Sequence, residues 1–182
     1  MNNFTVTRDS YPYVTGMGFR NRSDLIFDEH HKDTAEKITK NSQVAFVKTD
    51  LVPYFFRDIV PNLKHDIKII THNSALGIDQ RYSVFLNDPR IIRWYAQNAN
   101  FDHPKLESVP LGIANRHWPH GNIEQIEEAK KQNDLKDYLV YMNFDVKTNP
   151  KKRQKILGMF ENKDYVLRGD KKTFQGISSR SI

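Results

Sequence analysis

The 182-residue sequence contains no cysteine. Disulfides, thiolate zinc sites and cysteine nucleophiles are therefore excluded, and any metal would have to be held by His and carboxylates alone. No run of about 20 apolar residues occurs, and residues 1–10 are polar, so neither a membrane span nor a signal peptide is readable. Cytoplasmic residence is the resulting expectation. A P-loop and a Gly-x-Gly-x-x-Gly turn are also lacking, which disfavours NTP hydrolysis and dinucleotide redox chemistry. So are internal repeats, low-complexity tracts and Gly/Ser linkers. A single domain of this length buries roughly 70% of its unfolded surface and needs no covalent staple.

What is present begins with basic charge. There are 28 Lys and Arg against 22 Asp and Glu, a formal net charge of +6. The excess sits after residue 146, where ten Lys and Arg face three acids. Such an end attracts phosphates, nucleic acid or an acidic glycan, and it equally describes a solvated helix face followed by a tail. A nucleic-acid-binding module needs aromatics interleaved with its basic residues. Only Tyr165 and Phe174 follow Phe160, which argues against nucleic acid as the partner.

Residues 1–22 show no hydrophobic period and read as an irregular arm. From 23 to 170, apolar β-type runs at 25–27, 44–47, 67–71, 106–111, 138–143 and 165–167 alternate with capped helical segments. That alternation predicts a single α/β domain with a Rossmann-like, mostly parallel sheet and flanking helices. One helix is expected to start at Asp50, with Pro53 in its first turn, and to stop near Pro61. A second is expected at Asp88, with Pro89 at the first helical position and an apolar stripe of Ile91, Ile92, Tyr95, Ala96 and Ala99. Asn122 and Gln125 match a capping box for a third, running to about Gln132. Asn149 and Pro150 open a fourth that sends Ile156, Leu157 and Phe160 toward a core. Residues 171–182 follow the last strand with no covering helix and read as a mobile tail or a truncated end.

Ligands of open parallel sheets bind beyond the carboxyl ends of the strands, so the loops there are the places to search. After Thr71 comes His72-Asn73-Ser74-Ala75-Leu76-Gly77-Ile78-Asp79, whose short hydrogen-bonding side chains suit contact with hydroxyls or merely local turn bonds. After Leu111 comes a richer loop with Gly112, Asn115, Arg116, His117, Trp118, His120 and Asn122. An indole face packs on the C–H groups of a pyranose while amides and imidazoles bond its hydroxyls. Trp118 is equally at home as a core or lid residue. His117 and His120 are three apart, but no third ligand stands at a recognisable spacing, so no metal site is expected.

Several separated motifs occur together: Phe46-Val47-Lys48-Thr49-Asp50, Ile70-Thr71-His72-Asn73-Ser74, Val84-Phe85-Leu86-Asn87-Asp88, Trp94-Tyr95-Ala96-Gln97-Asn98, His103-Pro104-Lys105-Leu106, Val109-Pro110-Leu111-Gly112-Ile113-Ala114-Asn115 and Trp118-Pro119-His120-Gly121-Asn122. In this order, over residues 43–122, they resemble the N-terminal half of exostosin-like (family 47) glycosyltransferases. The resemblance implies one half of an enzyme built from two facing Rossmann-like domains. The N-terminal half would bind a glycan acceptor, and the other half, from a second domain or chain, would bind the nucleotide-sugar that serves as co-substrate. The Asp-x-His-Arg and Trp-Glu segments of the family's second half have no counterpart after Leu167. The resemblance therefore leaves two readings, an acceptor-side catalytic half and a non-catalytic glycan-binding remnant.

Glycosyl transfer needs a base at the acceptor hydroxyl and positive charge at the departing diphosphate. His72, Asp79 and His120 are the titratable candidates for the base, and the sequence does not rank them. Lys147, Lys151, Lys152 and Arg153 are the phosphate-binding candidates. No further cofactor is required by this scheme.

Overall fold

The computed structural model describes residues 10–131 and 138–169. Its contacts group the chain into two compact units, 1–122 and 123–182, where the sequence predicts one domain over 23–170. Among the described residues no helix is long and apolar enough to cross a membrane.

The first unit runs α1 (Gly16–Asn21), β1 (Leu25–Phe27), β2 (Val44–Lys48), α2 (Val52–Asp58), β3 (Ile67–His72), α3 (Ser83–Leu86), β4 (Ile91–Ala96) and β5 (Leu106–Ser108). The strands form one sheet in the order β1-β2-β3-β4-β5, and every neighbouring pair is parallel. The α/β, Rossmann-like, parallel-sheet expectation holds. Because each connection steps one strand in the same direction, the right-handed crossover rule sends all of them to one face. The packing agrees: Phe56 of α2 stacks on both Phe85 of α3 and Trp94 of β4. Leu25, Val47, Ile67, Ile69 and Ile91 are fully buried beneath them. Side chains of the opposite parity, Phe46, Lys48, Ile70 and His72, belong to the other face, with Phe46 paired to Ile70 and Lys48 to His72.

Three sequence expectations are corrected here. The segment predicted as a helix from Asp88 is β4, paired with β3 from Ile67↔Ile91 to Thr71↔Ala96 with a one-residue register shift between Ile67 and Lys68. Its burial follows from strand pairing, with Ile91, Trp94 and Ala96 buried and Ile92 exposed. The β-branched pair Ile91-Ile92 and the aromatic pair Trp94-Tyr95 favour a pleated, half-buried surface over a helix. Asp88 closes a turn instead, accepting from the Arg90 amide at 2.9 Å and from its guanidinium at 2.7 Å. The arm is not irregular throughout, since α1 is a capped helix: Thr15 Oγ1 accepts from the Gly18 amide at 2.9 Å. Asp50 does not cap α2. It lies in a 3-10 turn, Thr49–Leu51, and the helix that follows carries Pro53 in its first turn as expected.

The second unit contains α4 (Ile123–Lys131), β6 (Val140–Met142), α5 (Pro150–Phe160) and β7 (Val166–Arg168). β6 and β7 pair in parallel, making one βαβ unit. Asn149 caps α5 as its sequence predicts, its side chain accepting from the Lys152 amide. Leu157 is buried, whereas Ile156, expected in a core, is exposed. The predicted tail, 171–182, and the predicted helix end at Gln132 lie outside the described residues.

Candidate functional site

A cleft of about 820 Å³ opens at the carboxyl end of the first unit's sheet. The five described strands follow one another in sequence, so no reversal of strand order creates the crevice. It arises because α1 lies against the face that the other helices leave uncovered. The Phe19 ring approaches the His72 ring at 5.5 Å, and Gly16, Met17 and Arg20 line the cleft from this side.

The fit of α1 to the strand ends depends on glycine. A Cβ at Gly16 would lie 1.7 Å from Asn73 Oδ1 and 2.6 Å from His72 Nδ1. Gly112 has φ +72, and a Cβ there would meet the Val14 carbonyl oxygen at 2.0 Å. The Ile113 amide donates to that carbonyl at 2.9 Å, tying the arm to the loop after β5.

A chain of hydrogen bonds joins these segments. The Met17 amide, one of α1's orphan donors, donates to Asn115 Oδ1 at 2.8 Å. Asn115 Nδ2 donates to Asn73 Oδ1 at 3.2 Å. Asn73 adopts φ 60, and its amide donates to His72 Nδ1 at 2.9 Å and to Gln97 Oε1 at 3.2 Å. Gln97 Nε2 donates to the Ser74 carbonyl at 3.1 Å. His72 Nε2 faces the Pro110 carbonyl at 3.3 Å. With Nδ1 accepting an amide proton and Nε2 facing a carbonyl, the imidazole carries its proton on Nε2. Burial holds the His72 pKa below the ordinary histidine value, so the ring stays neutral. Both of its nitrogens are engaged in holding the cleft wall.

Trp118 stands on the rim and is half exposed, at 53%. Its amide donates to the Asn115 carbonyl at 2.9 Å, and the Gly121 amide donates to the Trp118 carbonyl at 2.9 Å, which closes the 3-10 turn Pro119–Gly121. The His120 ring lies nearly parallel to the indole, 19° between planes and 6.2 Å between centroids, and His117 is 5.3 Å away. An exposed aromatic ring flanked by two imidazoles therefore opens on the cleft.

The inner end is charged. Asp28, following β1, accepts from Arg20 Nε at 2.6 Å and from the amides of His30 and His31 at 2.9 and 2.8 Å. Burial pushes its carboxyl up, but the Arg20 guanidinium and the two amides outweigh it and hold the pKa below the usual value. Lys48, at the end of β2, donates to Glu29 Oε1 at 2.7 Å.

Of the sequence-derived candidates, His72, Asn73, Ser74, Gly112, Asn115, Trp118 and His120 come together in this cleft. Arg116 and Asn122 belong to the same loop but not to its lining. Asp79 is also outside it. Its carboxylate caps a 3-10 turn and is paired with the Arg81 guanidinium at 2.7 Å, which holds its pKa low. The phosphate-binding candidates belong to the second unit. There Arg153 donates to the Asp145 carbonyl at 2.8 Å and to the Thr148 hydroxyl and sits over the Phe144 ring, while Lys147, Lys151 and Lys152 are exposed. No cluster of three or more metal-ligating side chains exists among the described residues.

Arg20, Asp28, Glu29, Phe46, Lys48 and Gln97 were missed by the sequence reading. The Thr15-x-x-Gly18 cap could have revealed α1 and with it Arg20. Gln97 directly follows β4, and the helix predicted from Asp88-Pro89 hides it as a residue at a strand end. Comparison with protein-family models and with curated proteins finds no match for this chain.

Proposed function

We propose that this chain is a carbohydrate-binding α/β domain that acts as the acceptor-side half of a glycosyltransferase, with a nucleotide-sugar as donor co-substrate. The observation that carries the reading is Trp118, held open by its turn on the rim of a cleft large enough for a sugar unit. Among the candidate bases, the geometry favours His120. Asp79 is outside the cleft and ion-paired, and both nitrogens of His72 are engaged. His120 lines the cleft beside the indole, where an acceptor hydroxyl stacked on Trp118 would lie.

The engaged state of His72 also supports the second reading, a glycan-binding domain without transfer activity. One experiment separates the two. The full chain is incubated with a panel of nucleotide-sugars and oligosaccharides, with products read by mass spectrometry and binding by calorimetry. Acceptor-side catalysis requires transfer that is lost in His120→Ala while binding persists. Binding without transfer selects the second reading, and neither binding nor transfer refutes both.

A further inference from the structure

We propose that the inner end of the cleft is a phosphate subsite, so that the carbohydrate taken there carries a phosphate monoester held by the open edge of the Arg20 guanidinium with Lys48 beside it. The proposal rests on the carbohydrate reading above and adds the charge class of the ligand. The starting point is an imbalance between donors and acceptors. The Arg20 side chain is only 18% exposed, and its Nε donates to Asp28 at 2.6 Å. Nη1 and Nη2 make no hydrogen bond among the described residues, and the residue lines the cleft. A partly desolvated guanidinium with an open fork of N–H groups calls for an acceptor, and the fork matches the spacing of phosphate oxygens.

Lys48 lines the same cleft and lies within the field of the Asp28 carboxylate. Of its three N–H donors, one goes to Glu29 Oε1. The acceptors nearby are already engaged. Asp28 takes three bonds, Gln97 Oε1 and Asn115 Oδ1 each accept a backbone amide, and Asn73 Oδ1 accepts from Asn115. The other acid facing the subsite is Glu29, which is half exposed and paired with Lys48. A neutral sugar hydroxyl offers a donor for each acceptor it presents, whereas a phosphate monoester presents three terminal acceptor oxygens. A carboxylate presents two and would leave more of these donors unmet.

The test is calorimetric titration of the full chain at fixed ionic strength with glucose, glucose 6-phosphate, glucuronate and inorganic phosphate. Glucose 6-phosphate should bind about tenfold or more tighter than glucose, the scale of a charge-assisted bidentate contact. Arg20→Lys keeps a cation against Asp28 but loses the fork. It should remove most of that preference, bringing glucose 6-phosphate affinity down toward that of glucose. Equal affinity for the two sugars, a preference that survives Arg20→Lys, or no binding of either phosphate probe at millimolar concentration overturns the subsite. Glucuronate binding as tightly as glucose 6-phosphate overturns the choice of phosphate. Should Arg20→Lys weaken both phosphate probes while Trp118→Ala changes neither sugar, the subsite stands and the carbohydrate platform falls.

Discussion

On one face of the five-stranded sheet, Val47, Phe55, Ile69 and Trp94 are fully buried among other apolar side chains, and the indole N–H donates to Thr71 Oγ1 at 3.0 Å. At the carboxyl end of the other face, His72, Asn73, Gln97 and Asn115 are held by one another and by backbone groups, around a cleft. The first face is stabilised by burial, which is non-directional and tolerates modest reshaping. The second is specified by directional bonds, in which each lost partner leaves a buried polar group unsatisfied. Substitutions on the first face should therefore change stability, while those on the second should change the ligand site.

The largest effect is expected from Trp94→Ala. Removing a fully buried indole leaves a cavity and an unpartnered Thr71 hydroxyl, at a cost of about 3–5 kcal/mol in urea unfolding. A loss below about 1 kcal/mol would show that the aromatic stack of Phe56, Phe85 and Trp94 is not the centre of the core.

Gly16→Ala comes next and sharpens the contrast. Its Cβ would collide with Asn73 Oδ1, so either α1 or the hydrogen-bonded Asn73 and His72 side chains must move. The expected stability loss is smaller, about 1–3 kcal/mol, but affinity for any cleft ligand should fall sharply. Unchanged affinity would mean that α1 does not shape the site.

The smallest effect is a pH dependence. Asp28 stays ionised to lower pH in the folded protein than in the unfolded chain. Its contribution is therefore fully present above the ordinary value of 3.8 and is lost as pH falls through the folded value. Asp28→Asn should flatten part of this acid limb, and the remainder comes from the other carboxyls held below their usual values, among them Asp33, where burial pushes the carboxyl up but the Ile26 amide and His31 outweigh it. His72 adds a decline that begins at higher pH. Its folded pKa is depressed, so the unfolded chain takes up that proton first and stability falls as pH drops below 6.5. An acid limb identical in Asp28→Asn would remove the Arg20–Asp28 pair from the account.

The two faces also differed in how far they could be read from sequence. Alternating apolar runs identified β1, β2 and β3, and Asn149-Pro150 marked α5, because burial and capping are local signals. β4 was misread because Asp88-Pro89 imitates a helix start and Ile91, Ile92, Tyr95, Ala96 fit a helical stripe as well as a strand. Pairing with β3, a non-local interaction, decides between them. β5 was read too long, since Pro110 has no amide to donate to a ladder and the chain leaves the sheet after Ser108. In the cleft, the composition of the Trp118 loop was legible. Which of its polar groups face a ligand was not, because Asn115 and His72 look alike in sequence whether they bond a sugar or the chain's own backbone. Arg20 and Asp28 are eight residues apart and meet only because α1 folds onto the sheet.

The central claim is that the Trp118 rim binds carbohydrate, and the two tryptophans make it directly measurable. Trp94→Phe preserves an aromatic ring in the core and leaves Trp118 as the sole indole. With folding verified by circular dichroism, titration of this variant with a panel of oligosaccharides should shift or quench Trp118 emission saturably for at least one member, and Gly16→Ala in the same background should abolish the change. Emission that no oligosaccharide alters, while acrylamide quenches the indole readily, would contradict the account by showing an accessible Trp118 that carbohydrate does not contact.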